Sequence, residues 1–237
     1  MYLILEKITL KKNMAFMGVI FFLLSTPVAT NFYRLGTDEP LQLLLILSAV
    51  YLWLKEKDFW VLILLIFSLF TKETSIFFMF LSLIYFFKKR RKLFVINLLA
   101  IILFGGLVVY KYLLPNSGYI RNANLSWDLL KMNFEYAWEY FLAELFVFSI
   151  LVWRAVKYRR NRNVGATVGR LILAGSLPLG FWYMNQDYYF LVITAFLVIG
   201  FGYIAGLFIK KTNVLLLSVY ILVLFVNLNL WVIPIAA

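Results

Sequence analysis

Apolar runs follow one another along almost the whole chain, parted by short clusters of Lys and Arg, and this alternation limits the fold more than any other feature. The runs cover approximately residues 13–29, 41–54, 59–70, 74–87, 93–113, 141–153, 164–184, 189–209 and 213–234. Of 237 residues, 64% are hydrophobic and 14% charged, whereas ordinary soluble domains hold about 45–50% and about 25%. A globule of this length buries only about 70–75% of its surface on folding, too little to hide so much apolar side chain. The pattern predicts an all-α, polytopic transmembrane bundle of about nine spans in the cell (inner or plasma) membrane. No repeat and no linker divides the chain, so residues 1–237 read as one transmembrane domain.

Charge sets the predicted orientation. With Lys7, Lys11 and Lys12 on the cytoplasmic side, the same side receives Lys55 and Lys57, the cluster Lys88 to Lys92, Arg154 to Arg162, and Lys210 with Lys211. That face holds 17 of the 23 Lys and Arg with three acids, a net +14 against −2 for the rest of the chain. Such asymmetry places the N-terminus inside and the C-terminus outside. In this setting the overall +12 belongs to membrane topology rather than to nucleic acid. With no Cys and no His, thiolate and imidazole chemistry are excluded, and function falls to a short set of carboxylates, cations and aromatics.

The stretch from Phe59 to Phe87 is the most informative. One helix of that length would carry Lys72 and Glu73 in mid-bilayer and put Lys88 to Lys92 on the wrong face. Two short helices with a turn at Thr71-Lys72-Glu73-Thr74 restore the parity. The first, about 12 residues long, rises only ~18 Å against a ~30 Å hydrocarbon core, so the turn needs a protein-lined cavity. Thr71 is a candidate N-cap for the next helix, whose positive end beside Lys72 makes an anion site. The competing reading has Lys72 pairing with Glu73 or reaching to the interface. A second acidic turn, Thr37-Asp38-Glu39-Pro40, reads as an N-cap, an acidic first turn and a Pro where its missing N–H costs nothing. It falls on the same predicted face, with Arg34 just before it. Together Arg34, Asp38, Glu39 and Lys72 supply both signs of charge, as a phosphate-linked polar substrate needs.

At these residues the chain resembles the polytopic glycosyltransferases of the GT-C fold (family 39-like), in particular bacterial members similar to protein O-mannosyltransferases and lipid A aminoarabinose transferases. Tyr33-Arg34-Leu35-Gly36-Thr37-Asp38 is like that family's Arg-x-x-x-Asp segment. Leu69-Phe70-Thr71-Lys72-Glu73-Thr74 is similar to its leucine-threonine-lysine turn. Ser25-Thr26-Pro27 looks like the helix end before the first motif, and Tyr188-Tyr189-Phe190-Leu191 resembles a later tyrosine-rich start of a span. The likeness implies transfer of a sugar from a polyprenyl-phosphate-linked donor to a lipid or protein acceptor at the outer membrane face. By the same likeness Lys72 would help hold the donor phosphate and Asp38 would belong to the acidic set lining the cavity; on their charges and positions Arg34, Glu73, Asp187 and Tyr189 are further candidates for the substrate site, and Asp38 and Glu39 for the catalytic acids. In that family the catalytic carboxylate lies in a loop several spans upstream, so the likeness implies an N-terminally truncated or split member, with a second chain supplying the missing spans.

Carboxylates and cations suffice for glycosyl transfer, which needs an acid or base near the anomeric carbon and positive charge at the leaving phosphate. No cofactor is required, although Asp38 and Glu39 offer oxygen ligands of the kind that suits a divalent cation. The external segment 115–140 is expected to hold an interfacial amphipathic helix, with Trp127, Leu130, Phe134, Ala137 and Phe141 on one stripe. Arg170 and Glu144 read as structural charges near span ends. Gly105 with Gly106, and Gly200 with Gly202, read as points of close helix packing. Expected partners are the sugar donor, its acceptor and membrane lipids, and not nucleic acid. Two other functions fit the same residues: a transporter or flippase for a lipid-linked saccharide, and a noncatalytic subunit of a split glycosyltransferase.

Overall fold

The computed structural model of the chain describes residues 1–33, 38–113, 127–157, 162–177 and 190–208. In order they form α1 (Tyr2–Thr9), α2 (Lys12–Leu23), α3 (Thr26–Tyr33), α4 (Glu39–Leu54), α5 (Asp58–Thr71), a 3₁₀ turn (Glu73–Ser75), α6 (Ile76–Lys89), α7 (Arg91–Leu113), α8 (Trp127–Lys157), α9 (Arg162–Ser176) and α10 (Leu191–Phe208). The all-helical class agrees with the apolar periodicity, and no strand occurs among the described residues.

The membrane-spanning expectation does not hold. Among the described residues no helix is long and apolar enough to cross a membrane. Helices α2, α4, α5, α6 and α9 have 12, 16, 14, 14 and 15 residues, against the roughly 20 that a ~30 Å hydrocarbon core demands. Helix α10, with 18 residues, rises about 27 Å. Of the two longer helices, α7 carries Arg91 and Lys92 at its start and Lys111 near its end, and α8 carries seven charged residues from Asp128 to Lys157. This overturns the nine-span polytopic bundle, its inside and outside faces, and the assignment to the cell membrane as a multi-pass protein. Turns cut the apolar runs where sequence alone joined them. The run 13–29 breaks at Leu24-Ser25, where the Ser25 hydroxyl donates to the Phe22 carbonyl at 2.6 Å. A new helix then begins at Thr26, with Pro27 in its first turn, where proline costs no hydrogen bond.

The chain divides into two compact units. The first comprises Met1–Thr37, Phe134–Leu173 and Asn185–Ala237. Its centre is α10, buried at every position from Leu191 to Ala205, as a helix apolar around its whole circumference should be. Tyr140 stacks on Phe190 at 4.5 Å and Phe146 on Phe201 at 6.1 Å. Small residues let α10 approach its neighbours: a Cβ built on Gly200 lies 2.7 Å from Ile172 Cδ1 and 3.0 Å from Val147 Cγ1. Ile172 can swing its terminal methyl aside, but the β-branched Val147 is fixed at χ1. Gly200→Ala is therefore expected to cost about 1 kcal/mol net, overpacking exceeding the better helix propensity of Ala. Thermal melting should fall by about 2–4 °C. Gly105 and Gly106 are no packing points, because a Cβ on either meets nothing within 4 Å. Gly106→Ala should raise stability by about 0.5–1 kcal/mol.

Helix α8 is continuous from Trp127 through the predicted span 141–153, because no Gly or Pro interrupts residues 127–157. The predicted boundary at 140 thus disappears, and Phe134, on the predicted apolar stripe, is half exposed. The buried face runs instead through Tyr140, Ala143, Glu144, Val147 and Leu151. Residues 115–126 and the run 213–234 lie outside the described residues. Arg170 is exposed.

The second unit comprises Asp38–Asn133 and Ala174–Met184. Helices α4 and α5 form an antiparallel hairpin about the Lys55–Lys57 turn, where Glu56 adopts φ 58°. Ile46, Ala49, Val61, Leu62, Leu65 and Leu69 fill its interior. Asn97 of α7 donates to the Met79 carbonyl at 3.1 Å and to Ser82 Oγ at 2.7 Å, fixing α7 to α6.

Candidate functional site

Because α4 and α5 are of similar length and antiparallel, the start of α4 and the end of α5 meet at one end of the hairpin. Asp38 is the N-cap of α4, followed by Glu39 and Pro40. Acidic side chains there complement the positive helix end, although the Asp38 side chain makes no capping hydrogen bond. Helix α5 stops at Thr71, whose hydroxyl donates back to the Ser68 carbonyl at 2.7 Å. Thr71 therefore ends α5 rather than capping the next helix. Lys72 is extended, at φ −154° and ψ 134°, and the 3₁₀ turn Glu73–Ser75 leads into α6, whose N-cap is Ser75.

Glu39 and Gln42, three residues apart, share one face of α4 and are both buried. Glu39 Oε1 accepts from Lys72 Nζ in an ion pair. Gln42 Nε2 donates to Thr74 Oγ1 and to Ser75 Oγ, each at 2.8 Å. The first turn of α4 is thus bolted to the break between α5 and α6 by one charged contact and two neutral ones. Burial pushes the Lys72 ammonium down to about 8, against the opposing pull of Asp38 and Glu73. Asp38 itself is exposed. Leu41 and Leu44 on α4, and Phe67 and Phe70 on α5, form two exposed apolar stripes at the same end of the hairpin.

Of the predicted site residues, Asp38, Glu39, Lys72 and Glu73 come together. Arg34, Asp187 and Tyr189 lie outside the described residues, as does Thr37. The partner of Lys72 is Glu39, where sequence alone offered Glu73. Gln42, Thr74 and Ser75 were missed. Their signal was a single Gln in an otherwise apolar helix, one turn after Glu39 and facing the same way. The geometry does not suit the divalent cation suggested for Asp38 and Glu39: an ammonium already occupies Glu39 Oε1 and would repel it. Among the described residues no group of three or more acidic, His or Cys side chains could hold a metal.

Compared with known proteins, the chain matches no family model, no curated protein and no solved structure. The likeness to GT-C glycosyltransferases therefore gains no support from any relative and stands on the short motifs alone.

Proposed function

We propose that the chain transfers a sugar from a polyprenyl-phosphate-linked donor to a lipid or protein acceptor, with the cluster around Lys72 as its reaction centre. The observation that carries this reading is the buried Glu39–Lys72 pair, with the exposed Asp38 carboxylate beside it. In the proposed step, Asp38 takes the proton of the acceptor hydroxyl as its oxygen bonds to the anomeric carbon. The bond from that carbon to the phosphate oxygen breaks, and the phosphate leaves as an anion beside the Lys72 ammonium. Glu39 and Gln42 are positioning residues, one for the ammonium and one for the turn that carries it. An ammonium that titrates near 8 is mostly charged at neutral pH and matched to stabilising negative charge as it develops. The exposed stripes Leu41/Leu44 and Phe67/Phe70 give an apolar polyprenyl chain a surface next to the charged cluster.

The test is a transfer assay with a polyprenyl-phosphate sugar. Asp38→Asn and Lys72→Ala should each lower turnover about a hundredfold, the scale seen when a general base or a charge-stabilising donor is removed. Asp38 is exposed, so its variant should fold normally by circular dichroism. Wild-type turnover in both variants would remove the basis for this site.

A further inference from the structure

At the opposite end of the α4–α5 hairpin lies a second charged feature, distinct from the Lys72 cluster. The turn before α5 and the junction between α6 and α7 border an open cleft of about 650 Å³, within the size range of small-molecule sites. Lys57, Arg90, Arg91 and Lys92 line it, against the two acids Glu56 and Asp58. Asp58 is buried and committed to structure: Oδ1 accepts from the Tyr85 hydroxyl at 3.2 Å, and Oδ2 accepts from Arg90 Nε at 3.3 Å. The Arg90 contact engages the Nε edge, which leaves the terminal donors of the guanidinium for another acceptor. Asp58 thereby aims Arg90 while neutralising only one of four cations. Among the described residues, Lys57, Arg91 and Lys92 make no ion pair.

The placement of Arg91 and Lys92 is the second observation. They occupy the first turn of the 23-residue helix α7, which contains no acid there. Cations at that end oppose the helix dipole, and they stand beside Lys57 and Arg90. Local consistency of sequence and structure is broken here, a mark of sites kept for binding. An anion in the cleft would relieve both the repulsion among the cations and the dipole conflict. At the lip, Trp60 and Phe59 are exposed and meet edge to face at 5.8 Å, an apolar surface for the organic part of a ligand.

We propose that this cleft binds a phosphate-bearing ligand, either a diphosphate or a phosphate ester, with Arg90, Arg91 and Lys92 on the phosphate oxygens and Trp60 against its carrier. Arg90 supplies fixed fork geometry and Lys92 a point charge. The inference does not depend on the glycosyl-transfer reading, since it uses none of the same residues.

The full chain is titrated calorimetrically with inorganic pyrophosphate and, separately, mixed with phosphatidylglycerol or phosphatidylcholine vesicles. The variants are Arg91→Gln/Lys92→Gln, which leaves the Asp58–Arg90 contact intact, and Arg170→Gln as an exposed control in the other unit. Saturable pyrophosphate binding, weakened at least tenfold by the double variant and unchanged by the control, supports a soluble phosphate ligand. Variant-sensitive binding to phosphatidylglycerol vesicles alone supports the same phosphate site with a lipid headgroup as its source. The double variant should also melt higher than wild type without ligand, and lose the rise that pyrophosphate gives wild type. The proposal is overturned if neither probe binds, or if the double variant and the Arg170 control weaken binding equally.

Discussion

Replacing Lys72 by Met is expected to destabilise the fold by about 3 kcal/mol at pH 7, because it leaves the Glu39 carboxylate buried without its partner. Glu39 is 3% exposed and its Oε1 is held by Lys72, so water has little access to replace the lost donor. For a chain of this size the loss corresponds to a melting temperature lower by about 6–12 °C. The paired replacement Glu39→Leu/Lys72→Met should return stability to within about 1 kcal/mol of wild type or above it, since an apolar pair of similar volume avoids desolvating two charges. The contrast between single and double variants separates a buried pair from a surface one, whose coupling is typically below about 1 kcal/mol. Urea denaturation at pH 7 measures it. A Lys72→Met variant within about 0.5 kcal/mol of wild type, a normal value for surface changes, would mean that the contact between the two side chains is not formed in solution.

Much of the second unit was legible because its punctuation is strong. Thr71-Lys72-Glu73-Thr74 interrupts an apolar run so abruptly that a break was the only economical reading, and the chain does turn there. Glu39-Pro40 opens α4 as its residue types require. Those two positions, joined by the short charged turn at Lys55–Lys57, suffice to bring Glu39 near Lys72 once α4 and α5 fold back on each other. The expected depth in a bilayer was a separate inference, and it failed. It equated the length of an apolar run with the length of a helix, whereas the run 13–29 is divided at Ser25 into helices of 12 and 8 residues.

The remainder was illegible for definite reasons. Gln42 is a neutral side chain whose role depends on two hydroxyls more than thirty residues away. No local pattern encodes that distance. Asp58 and Arg90 enter the sequence reading only as charges on one predicted face, and their pairing follows from how α6 packs back along α5. On α8 the predicted apolar stripe was expected to lie in a membrane interface, but its Phe134 is exposed and the buried face runs through Tyr140, Ala143 and Val147. A helix with apolar residues on more than one side gives no unique direction until its neighbours are known.

The stability of the chain should rise with pH between about pH 8 and pH 10.5 through Lys72, whose burial cost outweighs its attraction to the acids beside it. The sign follows from proton counts. Burial lowers the Lys72 ammonium from 10.5 to about 8 in the folded chain, so in this window the unfolded chain holds a proton that the folded chain has released. Where the unfolded state binds more protons, stability increases with pH. Below about pH 8 both states are protonated, the burial cost of the ammonium is present in full, and Lys72 contributes no slope. Tyr85 acts in the other sense: burial, with Asp58 beside it, raises its phenol, so its contribution is lost as pH climbs past 10. Comparing wild type with Glu39→Leu/Lys72→Met at pH 7.5, 9 and 10 cancels Tyr85, which both proteins retain. The wild type should gain on the double variant across that range, and equal slopes would show that Lys72 keeps an ordinary ammonium in contact with water. A positive result would also bear on chemistry, because a lysine poised near 8 is charged enough at pH 7 to attract a phosphate, yet loses that charge within about one pH unit above 8. Phosphate binding at the Lys72 cluster should then fade over the same interval in which the fold becomes more stable, whereas binding at the Arg90–Arg91 cleft, whose guanidinium groups stay charged, should persist.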